Sequence, residues 1–175
     1  MDRRIFSLLV FFRRGKISTS RIGTYPEVRE NLQTIQDVVD ISRRVNAFCL
    51  ENGISPKEAF YIALCTEELA ANSIGHGFKK DNKEHHVELR AVVHEDTLFL
   101  RLRDDCRRFD LVERYKMINP EDPTKNIGLR IIFKKADEVD YSSALNMNNV
   151  CVKYLIQRNP AAAAQPVQQK NRSSR

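Results

Sequence analysis

Tryptophan is absent from the 175-residue chain, and so is any apolar run long enough to cross a bilayer as a helix. Residues 5–12 come nearest, eight residues set between arginine pairs, and they lack the small-residue cleavage site of a signal peptide. A short strand, a contact with a membrane surface and a remnant of a longer upstream chain all fit that segment. Paired cysteines are missing too. Cys49, Cys65, Cys106 and Cys151 are scattered with no Cys-x-x-Cys pair, which suits buried small hydrophobes in a reducing cytoplasm better than disulfides or zinc ligation. Nor does the body of the chain carry an excess of positive charge. The formal +6 comes from the ends: residues 1–16 contribute +4 and residues 158–175 another +4, which leaves the middle at −2. A specific nucleic-acid surface is therefore not expected, and basic ends alone give only nonspecific binding.

The length suits one domain with a real core plus two ends. Residues 1–24 read as an extension or linker, 25–157 as the domain, and 158–175 as a disordered basic tail. A strand over 28–34 precedes an amphipathic helix over 35–50, stopped by Asn52-Gly53. Residues 55–78 read as one long helix. Ser55 caps it, Pro56 opens it and Glu58 stands three residues after the cap, while Phe60, Leu64, Ala71 and Ile74 give it an apolar face. The period then changes to two: strands over 86–94 and 97–103 flank a tight turn at Glu95-Asp96, with Leu98, Leu100 and Leu102 on one face. Residues 104–126 form a long polar segment without sustained periodicity, of the kind that serves as a lid or binding loop. A short helix over 128–137 and a last hairpin, 138–142 and 149–156 around a turn at 146–148, complete an α+β sandwich: a mostly antiparallel sheet with helices on one face.

Glu68, Asn72 and His76 interrupt the apolar pattern of the long helix at intervals of four, so they share one side over about two turns. A carboxamide oxygen can hold a hard cation, and a carboxylate one turn away can take a proton from an attacking hydroxyl. Asp104 ends a strand where it can accept from an exocyclic amine such as that of adenine. Residues 124–128 lead directly into a helix, whose unsatisfied N–H groups suit phosphate. His85-His86 and His94, by contrast, read as polar residues bordering a hairpin, and Lys79, Lys80 and Lys83 as a solvated turn.

In this order the motifs resemble the Bergerat-fold (GHKL) ATPase superfamily, and within it the anti-sigma factor serine-protein kinase branch. EELAANSIGHGF resembles that branch's Glu-x3-Asn box with its His-Gly-aromatic ending. LRDDCRRFD resembles its strand ending in Asp-Asn-Gly-x-x-Phe-Asp, and NIGLRIIFKKADEVDYSS with NNVCVKY resembles its Gly-Leu helix and closing strands. The resemblance runs over about residues 28–157. It implies Glu68 as general base, Asn72 as magnesium ligand and Asp104 as reader of the adenine amine. Phe109 and Asp110 would shape the start of the lid, and Lys125, Asn126, Gly128 and Leu129 would sit by the phosphates. His76, Cys106 and Asn149 would complete the surroundings of the nucleotide, with Asn149 in the place of a threonine of the final strand. The implied ligands are ATP and Mg2+. The implied partner is a protein carrying a target serine or threonine, of the anti-sigma antagonist kind, with a sigma factor as second partner and a homodimer left open.

Three departures stand out. Cys106 replaces an expected glycine, Arg107-Arg108 follow where small residues are usual, and a glycine pair is reduced to Gly128 with Asn126 at its first place. The Asp-Asp-Cys-x-x-Phe-Asp variant resembles a divergent subgroup of such domains, fused to bacterial membrane transporters or regulatory modules. The alternative to a kinase or ATPase is thus a non-catalytic, nucleotide-tuned interaction module, part of a larger membrane-associated protein.

Overall fold

A computed structural model describes residues 25–78, 83–122 and 124–157. The expectations for residues 1–24, for Lys79-Lys80 and for the tail 158–175 lie outside these. Five strands form one antiparallel sheet in the order β1-β2-β3-β5-β4, with β1 Glu27–Leu32, β2 Val87–His94, β3 Thr97–Asp104, β4 Glu138–Ala144 and β5 Met147–Leu155. Helices α1 (Ile35–Glu51) and α2 (Pro56–Asn72) follow β1, and α3 (Leu111–Lys116) and α4 (Ile127–Lys135) lie between β3 and β4. Among the described residues, no helix is long and apolar enough to cross a membrane.

Alternation puts Leu89, Ala91 and Val93 of β2, Leu98, Leu100 and Leu102 of β3, and Val150, Val152 and Tyr154 of β5 on the inner face, all buried. Val38, Ile41 and Val45 of α1 join them with Ile62, Cys65 and Leu69 of α2 in a single core. The buried face of α2 therefore differs from the expected one. Phe60 is 58% exposed and Leu64 only half-buried, while Ala59, Ile62, Cys65, Thr66, Leu69 and Ala70 are covered. Small side chains let α2 lie close to α1, where Ser42 donates to the carbonyl of Ala63 at 3.0 Å, and that close approach sets its rotation. The buried thiols behave as hydrophobes: desolvation pushes the Cys49 pKa up to about 12 and also raises that of Cys65.

Helix α1 starts in a reciprocal cap. Thr34 accepts from Asp37 N, and the Asp37 carboxylate accepts from the backbone N–H groups of Gln33 and Thr34, both at 2.8 Å. These backbone bonds, Gln33 first, hold the Asp37 pKa below its ordinary value. A depressed carboxylate pKa stabilises the folded state above the unfolded value, and that contribution fades as pH falls through the folded one. Thermal melts from neutral to acidic pH should therefore show a loss of stability below the ordinary carboxylate range. In Asp37→Asn that loss should be smaller; an unchanged pH dependence would count against the cap.

Candidate functional site

The last turns of α2 organise the site. After Asn72 the helix widens into a π-helical turn, Ser73–Gly77, which carries Ser73 over the end of β3. There Ser73 Oγ donates to Oδ2 of the buried Asp104 at 3.0 Å. The other carboxylate oxygen accepts from Cys106 N at 3.1 Å and from Asn148 Nδ2 at 2.7 Å. Asn148, also buried, donates in addition to the Cys106 carbonyl at 2.9 Å, and its Oδ1 accepts from the Tyr141 hydroxyl at 2.7 Å. The Asp104 carboxylate and the Cys106 carbonyl settle which way round the amide lies, because both can only accept and so must face its nitrogen. Oδ2 of Asp104 has one described donor, so a lone pair remains for an amine from outside.

One turn back along α2, Glu68 reaches the start of α4. A methyl added at Gly128 would overlap Oε2 of Glu68 and stand 2.7 Å from its Cδ. Glu68 and Asn72 are both half-buried, and they lie between the two contacts of α2. Glu68, Asn72, Asp104 and Gly128 are thus gathered around one end of one helix.

The sequence departures are accommodated sterically. Cys106 is 8% exposed and lies against Gly77, where an added methyl would come 2.6 Å from its Sγ and 3.0 Å from its Cβ. The missing side chain at 77 makes room for the one at 106. Asn126, at the place of the lost glycine, is left-handed at φ 56°, ψ 38°, a conformation asparagine tolerates better than other residues with a side chain. Asn126→Gly should keep its stability, whereas Asn126→Ala should lose about 1 kcal/mol in urea unfolding. Equal stability of the two variants would remove this explanation.

The segment 104–126 is less loop-like than expected. Asp110 caps α3 by accepting from Val112 N and Glu113 N at 3.0 Å, and Leu111 is buried. Tyr115 stacks on Phe133 of α4 with centroids 4.0 Å apart. Arg130 of α4 donates to the carbonyls of Asn119, Asp122 and Lys125 at 2.6, 2.9 and 3.1 Å. Sequence reasoning missed Arg130, since a guanidinium serving backbone carbonyls leaves no motif. Phe109 is 44% exposed. Lys125 is exposed, with Nζ 3.3 Å from Asp122.

Two expected site residues are placed elsewhere. Asn149 donates to Ser142 at 3.3 Å on the outer face of the sheet, and it is the neighbouring Asn148 that joins Asp104. Leu129 buries its side chain in the core, so only its backbone faces the start of α4. The His76 side chain lies outside what the structure describes. At the opposite end of α2, Ser55, Tyr61, Lys135 and Tyr154 line a cavity of about 610 Å³ that shares no residue with this group.

An antiparallel sheet covered by helices on one face thus sets a buried strand-end carboxylate against a helix that bears a half-buried acid and amide. A family profile described as the histidine kinase-like ATPase domain matches residues 33–154, and the chain belongs to that family. This bears out the resemblance to the GHKL ATPase superfamily. Among solved structures, the RsbU and RsbW domains of a Mycobacterium tuberculosis protein share the fold at 14% identity and a TM-score of 0.56, covering 77% of this chain and 33% of that one. The histidine kinase domain of an Erythrobacter litoralis blue-light activated histidine kinase matches at 19% identity and a TM-score of 0.47, over 70% of this chain and 60% of that one. The chain therefore spans a third to three-fifths of the length of these two. No curated protein sequence matches it.

Proposed function

We propose that the domain binds ATP with magnesium between the end of α2 and residues 106–127, and transfers the γ-phosphoryl group to a serine or threonine of a partner protein. The observation that carries this reading is the convergence just described: Ser73 and Asn148 on Asp104, and Glu68 on Gly128, around Asn72. Asp104 accepts from the adenine amine through the lone pair its neighbours leave. Asn126 makes no side-chain cap at the N-terminus of α4, so its first N–H groups suit phosphate oxygens, with Lys125 nearby. The Asn72 oxygen is a fitting ligand for a hard cation; magnesium, when bound, offsets charge on the triphosphate. Glu68 takes the hydroxyl proton as the oxygen attacks phosphorus in line, and ADP leaves with the electrons of the broken bond.

The resemblance suggests an anti-sigma antagonist-like protein as acceptor, a sigma factor as second partner, and a cytoplasmic setting. Titration calorimetry of ATP with and without magnesium tests the reading. Binding should need magnesium, and Asn72→Ala should lose this magnesium-dependent binding. A domain that ignores ATP at millimolar concentration would end the proposal.

A further inference from the structure

A second cluster lies beside this site, at the ends of β2 and β3. His85 and Cys106 are not neighbours in sequence, but the strand pairing Val87↔Asp104 continues outward and brings them together. His85 Nδ1 lies 3.1 Å from Oδ1 of Asp105, which also accepts from His86 N at 2.8 Å. Ligand atoms of His85, Asp105 and Cys106 all lie within 4.8 Å of one another. His85 and Cys106 are 6% and 8% exposed, whereas Asp105 faces solvent. From these residues we propose that His85, Asp105 and Cys106 form a site for a divalent cation of the zinc type.

The donor set selects the metal. An imidazole, a carboxylate and a thiolate together suit zinc or cobalt and disfavour magnesium, which takes oxygen ligands in near-octahedral geometry. Three protein ligands leave a fourth position, and the exposed side of Asp105 gives water access to it. Zinc bond lengths imply ligand atoms roughly 3.3–3.8 Å apart in a tetrahedron, so with all separations within 4.8 Å side-chain rotation need close none by more than about 1.5 Å. The His85–Asp105 bond alone would stitch the strand ends together. The hollow at Gly77 gives Cys106 room, and it holds the thiol at the third corner beside that pair, in a place where the resembled family carries glycine. The site is distinct from the proposed magnesium ligand Asn72 in both residues and ligand chemistry.

Cobalt(II) reports on such a site by colour. Titrated into the metal-stripped 175-residue chain, it should give thiolate-to-cobalt charge transfer and tetrahedral d–d bands that saturate at one equivalent. Zinc should bleach them and excess magnesium should not. Cys106→Ala should abolish the charge transfer, His85→Gln should weaken binding at least tenfold, and Cys151→Ser should change neither. No absorption in the wild type, bands that survive in Cys106→Ala, or bands removed by magnesium would each overturn the site. A measurement without variants guards against misfolding: zinc should slow alkylation of Cys106 but not of Cys151, followed by peptide mass spectrometry. Equal alkylation rates at Cys106 with and without zinc would likewise overturn it.

Discussion

Gly128→Ala is expected to cost the domain its turnover while leaving it folded and able to bind nucleotide. The added methyl would overlap a carboxylate oxygen of Glu68 and stand 2.7 Å from Cδ. The obstacle is the free end of a flexible side chain, so the backbone need not move. The carboxylate moves instead. A general base shifted by an ångström or more loses its line to the hydroxyl, and such bases contribute about 100- to 10,000-fold to rate. Glu68→Ala should show a loss of that order in partner phosphorylation or ATP turnover. Gly128→Ala should approach it, and the double variant should be little worse than either single one. Calorimetric ATP affinity should change far less than rate. If Gly128→Ala turns over normally, Glu68 does not act where it is drawn; if it unfolds, the contact is structural.

The second large effect is expected on affinity. In Asp104→Asn the new amide has one oxygen to share between two sides. Facing inward, that oxygen keeps the donors Cys106 N and Asn148 Nδ2 satisfied, and the nitrogen then meets the adenine amine donor to donor. Facing outward, it leaves those two buried donors opposite a third. Hydrogen bonds to charged groups contribute about 1.5–3 kcal/mol, so ATP should bind roughly 10- to 150-fold more weakly. Competition between ATP and GTP gives the sharper readout, because loss of the carboxylate should erode the preference for adenine. A variant that binds ATP as well as the wild type would show that Asp104 serves only its own network.

The succession of strands and the three longer helices was legible because its signals are local: alternating leucines over 98–102, and Ser55 with its acidic partner three residues on. Glu68, Asn72 and Asp104 stood out as candidates because spacing by four on a helix and a carboxylate at a strand end need no tertiary knowledge, while their roles came from the resemblance. What failed depended on tertiary knowledge. The β4–β5 turn uses Leu145 and Asn146, both at positive φ, and contains no glycine. Pattern alone carried the turn on to residue 148 and left Asn148 unread, while Asn149 was singled out by the resemblance. The rotation of α2 was similarly hidden, since its burial follows from small residues set against α1 and not from the largest apolar ones. Arg130 and the stack of Tyr115 on Phe133 tie down a segment whose own sequence has no period to read.

The contact between residues 77 and 106 has a consequence for descent. With Sγ occupying the hollow that Gly77 leaves, the two positions cannot drift independently, and bulk is admitted on one side at a time. Aligned relatives should show it: lineages with a side chain at 106 should be fixed for glycine at 77, and a side chain at 77 should occur only beside glycine at 106.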